Sequence, residues 1–164
     1  MGHNITAVIL KGNYDEKHAI NYDLHGKQLG FHLTMFHIDH YYSAYWQKKM
    51  NATGYLPVLS KTPILFPSET VISVLMSKIS GLDDPIYAIM TTEYFGGVGS
   101  QCAHVYKGLQ LIDESTSDIN AALKLLGVTA DQGMDEFDTI ALGKYRYQPD
   151  YLDKYVDLAD ELGV

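Results

Sequence analysis

Apolar and polar positions alternate most clearly on either side of Gly96-Gly97-Val98-Gly99. Ile86 to Phe95 and Ser100 to Lys107 read as two strands that close into a hairpin on those glycines. An unbroken apolar run from Ile5 to Leu10 reads as a buried strand ended by Gly12-Asn13. Phe31 to Ile38 reads as another strand. Leu109 to Ile112 extends the second hairpin strand beyond a kink at Gly108.

Helical spacing accounts for much of the rest. Asp15 caps a short helix running to Leu24. Asp39 caps one from His40 to Met50, its carboxylate accepting from the free N–H groups of the first turn. Gly54 to Pro67 holds three prolines and reads as an extended connection. Ser68 caps the next helix, whose stripe is Ile72, Leu75, Met76 and Ile79 and whose stop is Gly81. A helix from Ser115 or Ser117 to Leu126 stops at Gly127-Val128. A weak strand lies within Phe137 to Arg146. Gln148-Pro149-Asp150 opens a final helix with Leu152, Tyr155, Val156, Ala159 and Leu162 on its buried side.

That order predicts an α+β fold: a mixed four- or five-stranded sheet with a glycine-turn hairpin, covered by about five helices. A chain of 164 residues makes one domain, 1–164. Its apolar content supports a core without a disulfide or metal staple.

Charge changes the picture along the chain. Residues 1–80 carry seven Lys against five acids, a balance of +2. Residues 81–164 carry four Lys and one Arg against fifteen acids, a balance of −10. An acidic half repels phosphate backbones, so no nucleic-acid partner is expected. A partner protein with a cationic surface fits better. No run approaches the ~20 apolar residues of a membrane span, so no membrane partner is expected. One cysteine excludes an intrachain disulfide and fits a cytoplasmic setting.

The hairpin gathers the candidate chemistry. A loop that pairs Gly96 with Gly99 sets Glu93 opposite Cys102. Thr91, Glu93, Cys102, His104 and Tyr106 then share one face. Glu93 is the candidate general base there, with His104 or Gln101 positioning a substrate. Gly96, Gly97, Gly99, Gln101 and Tyr94 are candidate ligand contacts, since turn N–H groups hold negative charge. A phosphate loop needs a helix after its glycines, and here a strand follows. Cys102 reads as a small buried hydrophobe.

Six of the seven His residues lie in the first 40 positions. His37, Asp39 and His40 have ligand chemistry, but the strand-to-helix step does not converge them, so neither metal nor cofactor is expected. The helix Tyr41-Tyr42-Ser43-Ala44-Tyr45-Trp46 carries more aromatics than one buried stripe holds. Tyr42 and Trp46 are its candidate partner contacts, with Asp153 and Asp157 of the final helix. The leading expectation is a non-catalytic cytoplasmic protein-binding module with an acidic, tyrosine-rich surface. The alternative is a small hydrolase- or transferase-type enzyme with a pocket at the 91–106 hairpin.

Overall fold

The central strand follows from the apolar run at the N-terminus, where successive residues are buried on opposite faces. In the computed structural model, which describes residues 2–164, β1 is His3–Lys11. It lies between β3 (Leu33–His37) and β4 (Ile86–Phe95). The sheet is completed by β2 (Gly26–Gly30), β5 (Val98–Lys107) and β6 (Gln110–Leu111). The order is β2-β3-β1-β4-β5-β6, and every neighbouring pair is antiparallel.

Both faces of this sheet are covered. One face carries Val8, Leu10, Phe36, Ile89 and Tyr106. It packs under α1 (Glu16–Ile20), α2 (His40–Lys49), α3 (Val71–Ser80) and α6 (Lys154–Glu161). The other carries Ile5, Ala7, Ile9, Met35 and Val105 under α4 (Ile119–Leu125) and the segment around Ile140 and Leu142. α5 (Glu136–Thr139) and 3-10 turns at Leu142–Lys144 and Asp150–Leu152 complete the described elements. Burial on both faces explains why β1 reads as continuous rather than alternating.

The α+β class holds, with corrections of detail. The sheet has six strands and is antiparallel throughout, not mixed, and six helices cover it. The extra strand is β2, which pairs with β3 across a two-residue turn at Phe31 and His32. Both turn residues have positive φ, 54° and 60°. That geometry favours Asn or Gly, and L-residues in it cost roughly 1–2 kcal/mol each. Phe31 and His32 look like strand residues, so the turn is hidden in the sequence. Residues 110–111 fold back as a separate strand after Gly108. The stretch Phe137 to Arg146 holds the end of α5 and the 3-10 turn at Leu142–Lys144 in place of a strand. α3 starts after Thr70, not Ser68, and Val71 N–H donates to Gln47 Oε1 at 2.9 Å.

One detail of the sheet places a cavity. β3 stops at His37, while β1 continues for four residues without that neighbour. The segment 145–148 takes the vacant place. Asn4 N–H donates to Arg146 O at 2.7 Å and Thr6 N–H donates to Gln148 Oε1 at 3.1 Å. Gln148 Nε2 in turn donates to Ile38 O at 2.6 Å, closing the joint.

Candidate functional site

The β4–β5 turn lies one residue earlier than a loop pairing Gly96 with Gly99 would place it. Phe95 pairs with Val98, so the loop is Gly96-Gly97 alone. Both glycines have positive φ, 61° and 81°, as a two-residue turn matched to strand twist requires. Glu93 therefore faces Ser100, and Cys102 faces Thr91. The slip is one pair on each strand, so face membership is unchanged: Glu93, Thr91, Cys102, His104 and Tyr106 still point the same way. Gly97 with Val98 at the centre would have forced a β-branched residue to positive φ, which is the physical reason for the correction.

Sharing a face does not bring Glu93 and His104 together. His104 pairs with Ile89, four residues along β4 from Glu93, or about 13 Å. Glu93 is exposed and lines a 450 Å³ cavity with Thr91, His40, Asp39 and Gln148. His104 is fully buried and lines a separate 470 Å³ cavity with Cys102, Thr62 and Lys61. A mechanism that needs Glu93 as base and His104 as its close partner has no support in this geometry.

The His104 surroundings are ordered in detail. Its Nδ1 lies 3.3 Å from Thr116 O, which can only accept, so Nδ1 carries the proton. Nε2 then accepts, from the Cys102 thiol at 3.5 Å or from the Thr62 hydroxyl at 2.8 Å, whose single proton Leu59 O also draws at 2.6 Å. Burial pushes the His104 pKa down and the Cys102 pKa up. Both shifts oppose the thiolate–imidazolium pair that an activated cysteine needs. Cys102 is 5% exposed. Its alkylation at neutral pH is expected to run well below that of free cysteine, since burial limits both reagent access and the thiolate fraction. Timed iodoacetamide labelling followed by mass spectrometry measures this, and a rate near that of free cysteine would make the Cys102–His104 pair a catalytic candidate.

The other hairpin candidates divide among neighbouring surfaces. Gln101 points to the opposite face, where its Oε1 accepts from Ile119 N–H at 2.8 Å and so caps the start of α4 beside Asp118. Tyr94 and Gln101 border a 400 Å³ cavity with His3, Phe137 and Arg146. Tyr94, Gly99 and Glu93 border another of 410 Å³ with Phe95 and Val98. Gly96 and Gly97 are exposed at the tip.

The aromatic helix is turned inward more than its composition suggests. Tyr42 is fully buried and donates to Tyr22 O, so it is corrected from partner contact to core. Trp46 is half-buried among Tyr22, Tyr45 and Tyr42, and its Nε1 donates to Tyr155 OH at 3.3 Å. Asp153 and Asp157 are exposed on α6. Asp39 caps α2, accepting from Tyr42 N–H at 2.7 Å, and His40 lies against Tyr41. Among the described residues no three His, Cys, Asp or Glu side chains converge as a metal site would require.

His37 is the residue whose surroundings the sequence most understates. It is 4% exposed, and its Nε2 has no hydrogen-bond partner among the described residues. Strand parity puts it on the face of Ala7, Met35 and Lys27 of β2, while Asp39 and His40 lie beyond the strand's end at the start of α2. Arg146 and Lys144 reach the same place from more than 100 residues away.

Comparison with family models, with curated proteins and with solved structures finds no match for this chain. Among the described residues no helix is long and apolar enough to cross a membrane.

Proposed function

We propose that this chain is a non-catalytic binding module for another protein, with its contact surface where the β4–β5 turn meets the 57–67 connection. One observation carries the reading: large apolar side chains stand exposed together at that end. Ile64 is 99% exposed, Phe95 87% and Val98 79%. Ile64 and Leu65 share a cavity wall with Glu93 and Ser100, which share the next wall with Phe95, Val98 and Tyr147. The two apolar groups thus lie in neighbouring walls joined through Glu93 and Ser100, and exposed apolar side chains rimmed by polar ones in this way mark interaction sites.

The acidic half adds the second component. Asp153, Asp157, Asp160 and Glu161 are exposed on α6 against Lys154, whose head group is held by Asp23 at 2.7 Å. A partner with cationic surface would be steered by this field, and salt would weaken the steering over ~8–10 Å. The free, single cysteine is compatible with a cytoplasmic setting. The acidic balance disfavours nucleic acid as the partner.

The test is capture of binding proteins by immobilised wild type, by Ile64→Asp/Phe95→Asp and by Asp153→Asn/Asp157→Asn, at low and moderate salt. The expected partner is lost with the first variant and weakened by both salt and the second. A partner recovered equally under every condition removes the tip from the interface.

A further inference from the structure

We propose that the cavity between the end of β3 and the 144–151 segment binds a small molecule bearing an oxyanion, a phosphate or carboxylate, on a flat or apolar body. This site shares Tyr147 with the hairpin surface but does not depend on it. Its volume, 630 Å³, lies within the range of small-molecule pockets.

The lining is cationic against the trend of the chain. Lys27 comes from β2, His37 from the last position of β3, Lys144 from the end of the Leu142–Lys144 turn, and Arg146 from the segment that replaces β3 beside β1. No Asp or Glu lines the cavity, although the chain carries a net charge of −8. Arg146 is the only arginine in the sequence. One of its donors, at Nη1, is tied to Gly2 O at 3.2 Å, which positions the guanidinium and leaves further N–H groups for a ligand. A planar guanidinium fits two oxygens of one phosphate or carboxylate at once. Lys144 Nζ lies 5.1 Å above the Tyr145 ring. The carboxylate tied to this wall is Asp23, 3.7 Å from His25 Nε2. It is already engaged by Lys154 and by the Tyr155 hydroxyl.

The second observation is independent of charge. The His37 side chain is buried, and its Nε2 is unpartnered. Native proteins rarely leave such an atom unpaired without a use for it. A water molecule would satisfy the ring nitrogen, but it would not account for three cationic side chains around an acid-free wall. An oxyanion accounts for both. The neutral ring, protonated on Nε2, donates to the anion without itself having to take up charge. Burial, with Lys27 and His3 nearby, holds its pKa down at about 4, so it is neutral at physiological pH. Tyr145, Tyr147 and Tyr151 supply ring surface for the remainder of the ligand.

Calorimetric titration of the full chain with inorganic phosphate, phenyl phosphate and benzoate tests the site, with histidine-ring ¹H–¹⁵N spectra recorded alongside. Phenyl phosphate or benzoate should bind saturably and more tightly than inorganic phosphate, and should move the His37 Nε2 signal. The comparison of those two probes identifies the preferred oxyanion. Lys27→Gln and Arg146→Gln should each weaken binding about tenfold or more, as loss of a charged hydrogen bond does. Lys78→Gln, on α3 across the sheet, should leave it unchanged. Lys27 is exposed and makes no ion pair among the described residues, so its variant carries the test even if Arg146→Gln disturbs the joint with Gly2. His37→Phe should abolish the ring-dependent binding while raising the melting temperature of the free protein. Absence of saturable binding below about 10 mM for all three probes would overturn the proposal. So would equal weakening by Lys78→Gln, because binding would then follow net charge and not the cavity.

Discussion

Between pH 6.5 and pH 4, His37 alone is expected to remove about 3 kcal/mol from the stability of the fold. Burial, then the charges of Lys27 and His3, lowers its pKa from 6.5 to about 4 in the folded chain. In that window the unfolded chain binds a proton that the folded chain refuses. Stability is therefore complete above the unfolded value and falls as the pH drops toward the folded one. His104 is shifted in the same direction by burial and adds to the slope. Asp23 does not interfere. Burial raises its pKa, but Lys154 and the Tyr155 hydroxyl outweigh that and hold it below 3.8, so its contribution is lost only at lower pH. Urea midpoints at pH 7 and pH 4.5 measure the effect. Wild type should lose most of the stated amount, and His37→Phe should lose much less. Equal losses in the two proteins would mean that His37 takes up its proton without opening the joint between β3 and the 145–148 segment.

How far the sequence foretold this molecule depends on the range of each contact. β1, the Asp39-capped helix, the α3 stripe and the existence of the β4–β5 hairpin follow from periodicity and from caps a few residues away. β2 was missed because Gly26-Lys27-Gln28-Leu29-Gly30 offers one buried apolar residue, and because its turn uses Phe31-His32 in place of Asn-Gly. The hairpin register was legible in principle. A two-residue turn of this hand needs positive φ at both central positions, which Gly96-Gly97 meets and Gly97-Val98 does not. The cavity was not legible by any local rule. Lys27 and His37 are ten residues apart, but Lys144 and Arg146 join them only because β3 is one strand-half shorter than β1. His37, Asp39 and His40 are adjacent in sequence, but β3 ends at His37, so Asp39 caps α2 and His40 enters it while the His37 ring stays with the sheet. The Tyr excess divides between core and surface: Tyr42, Tyr87, Tyr106 and Tyr155 are among the largest fully buried side chains, while the other nine of the thirteen are half-buried or exposed.

Gly99→Ala is expected to be the most damaging single-methyl change in the hairpin. A Cβ built there falls 1.8 Å from Glu93 O and 2.7 Å from Tyr94 Cα, both backbone atoms that no rotamer change can move aside. The β4 and β5 backbones must separate at that pair, and overpacking of this kind costs about 1–3 kcal/mol or more. Gly97→Ala provides the contrast. Its φ of 81° strains an L-residue, but nothing lies within 4 Å of the added carbon. That change should cost about 1 kcal/mol, the ordinary penalty of the left-handed region. Thermal melts should rank wild type above Gly97→Ala and Gly97→Ala above Gly99→Ala. Amide exchange should speed up in Gly99→Ala from Glu93 to Ser100, while β1 and β3 stay protected. If Gly99→Ala melts above Gly97→Ala, the close approach at Glu93 is wrong, and with it the register that places Phe95 and Val98 side by side at the exposed tip. If the order holds, Gly99→Ala also becomes a probe of function. It splays the tip without altering the side chains of Ile64, Phe95 or Val98, so a loss of partner capture would trace to their arrangement and not to their identity.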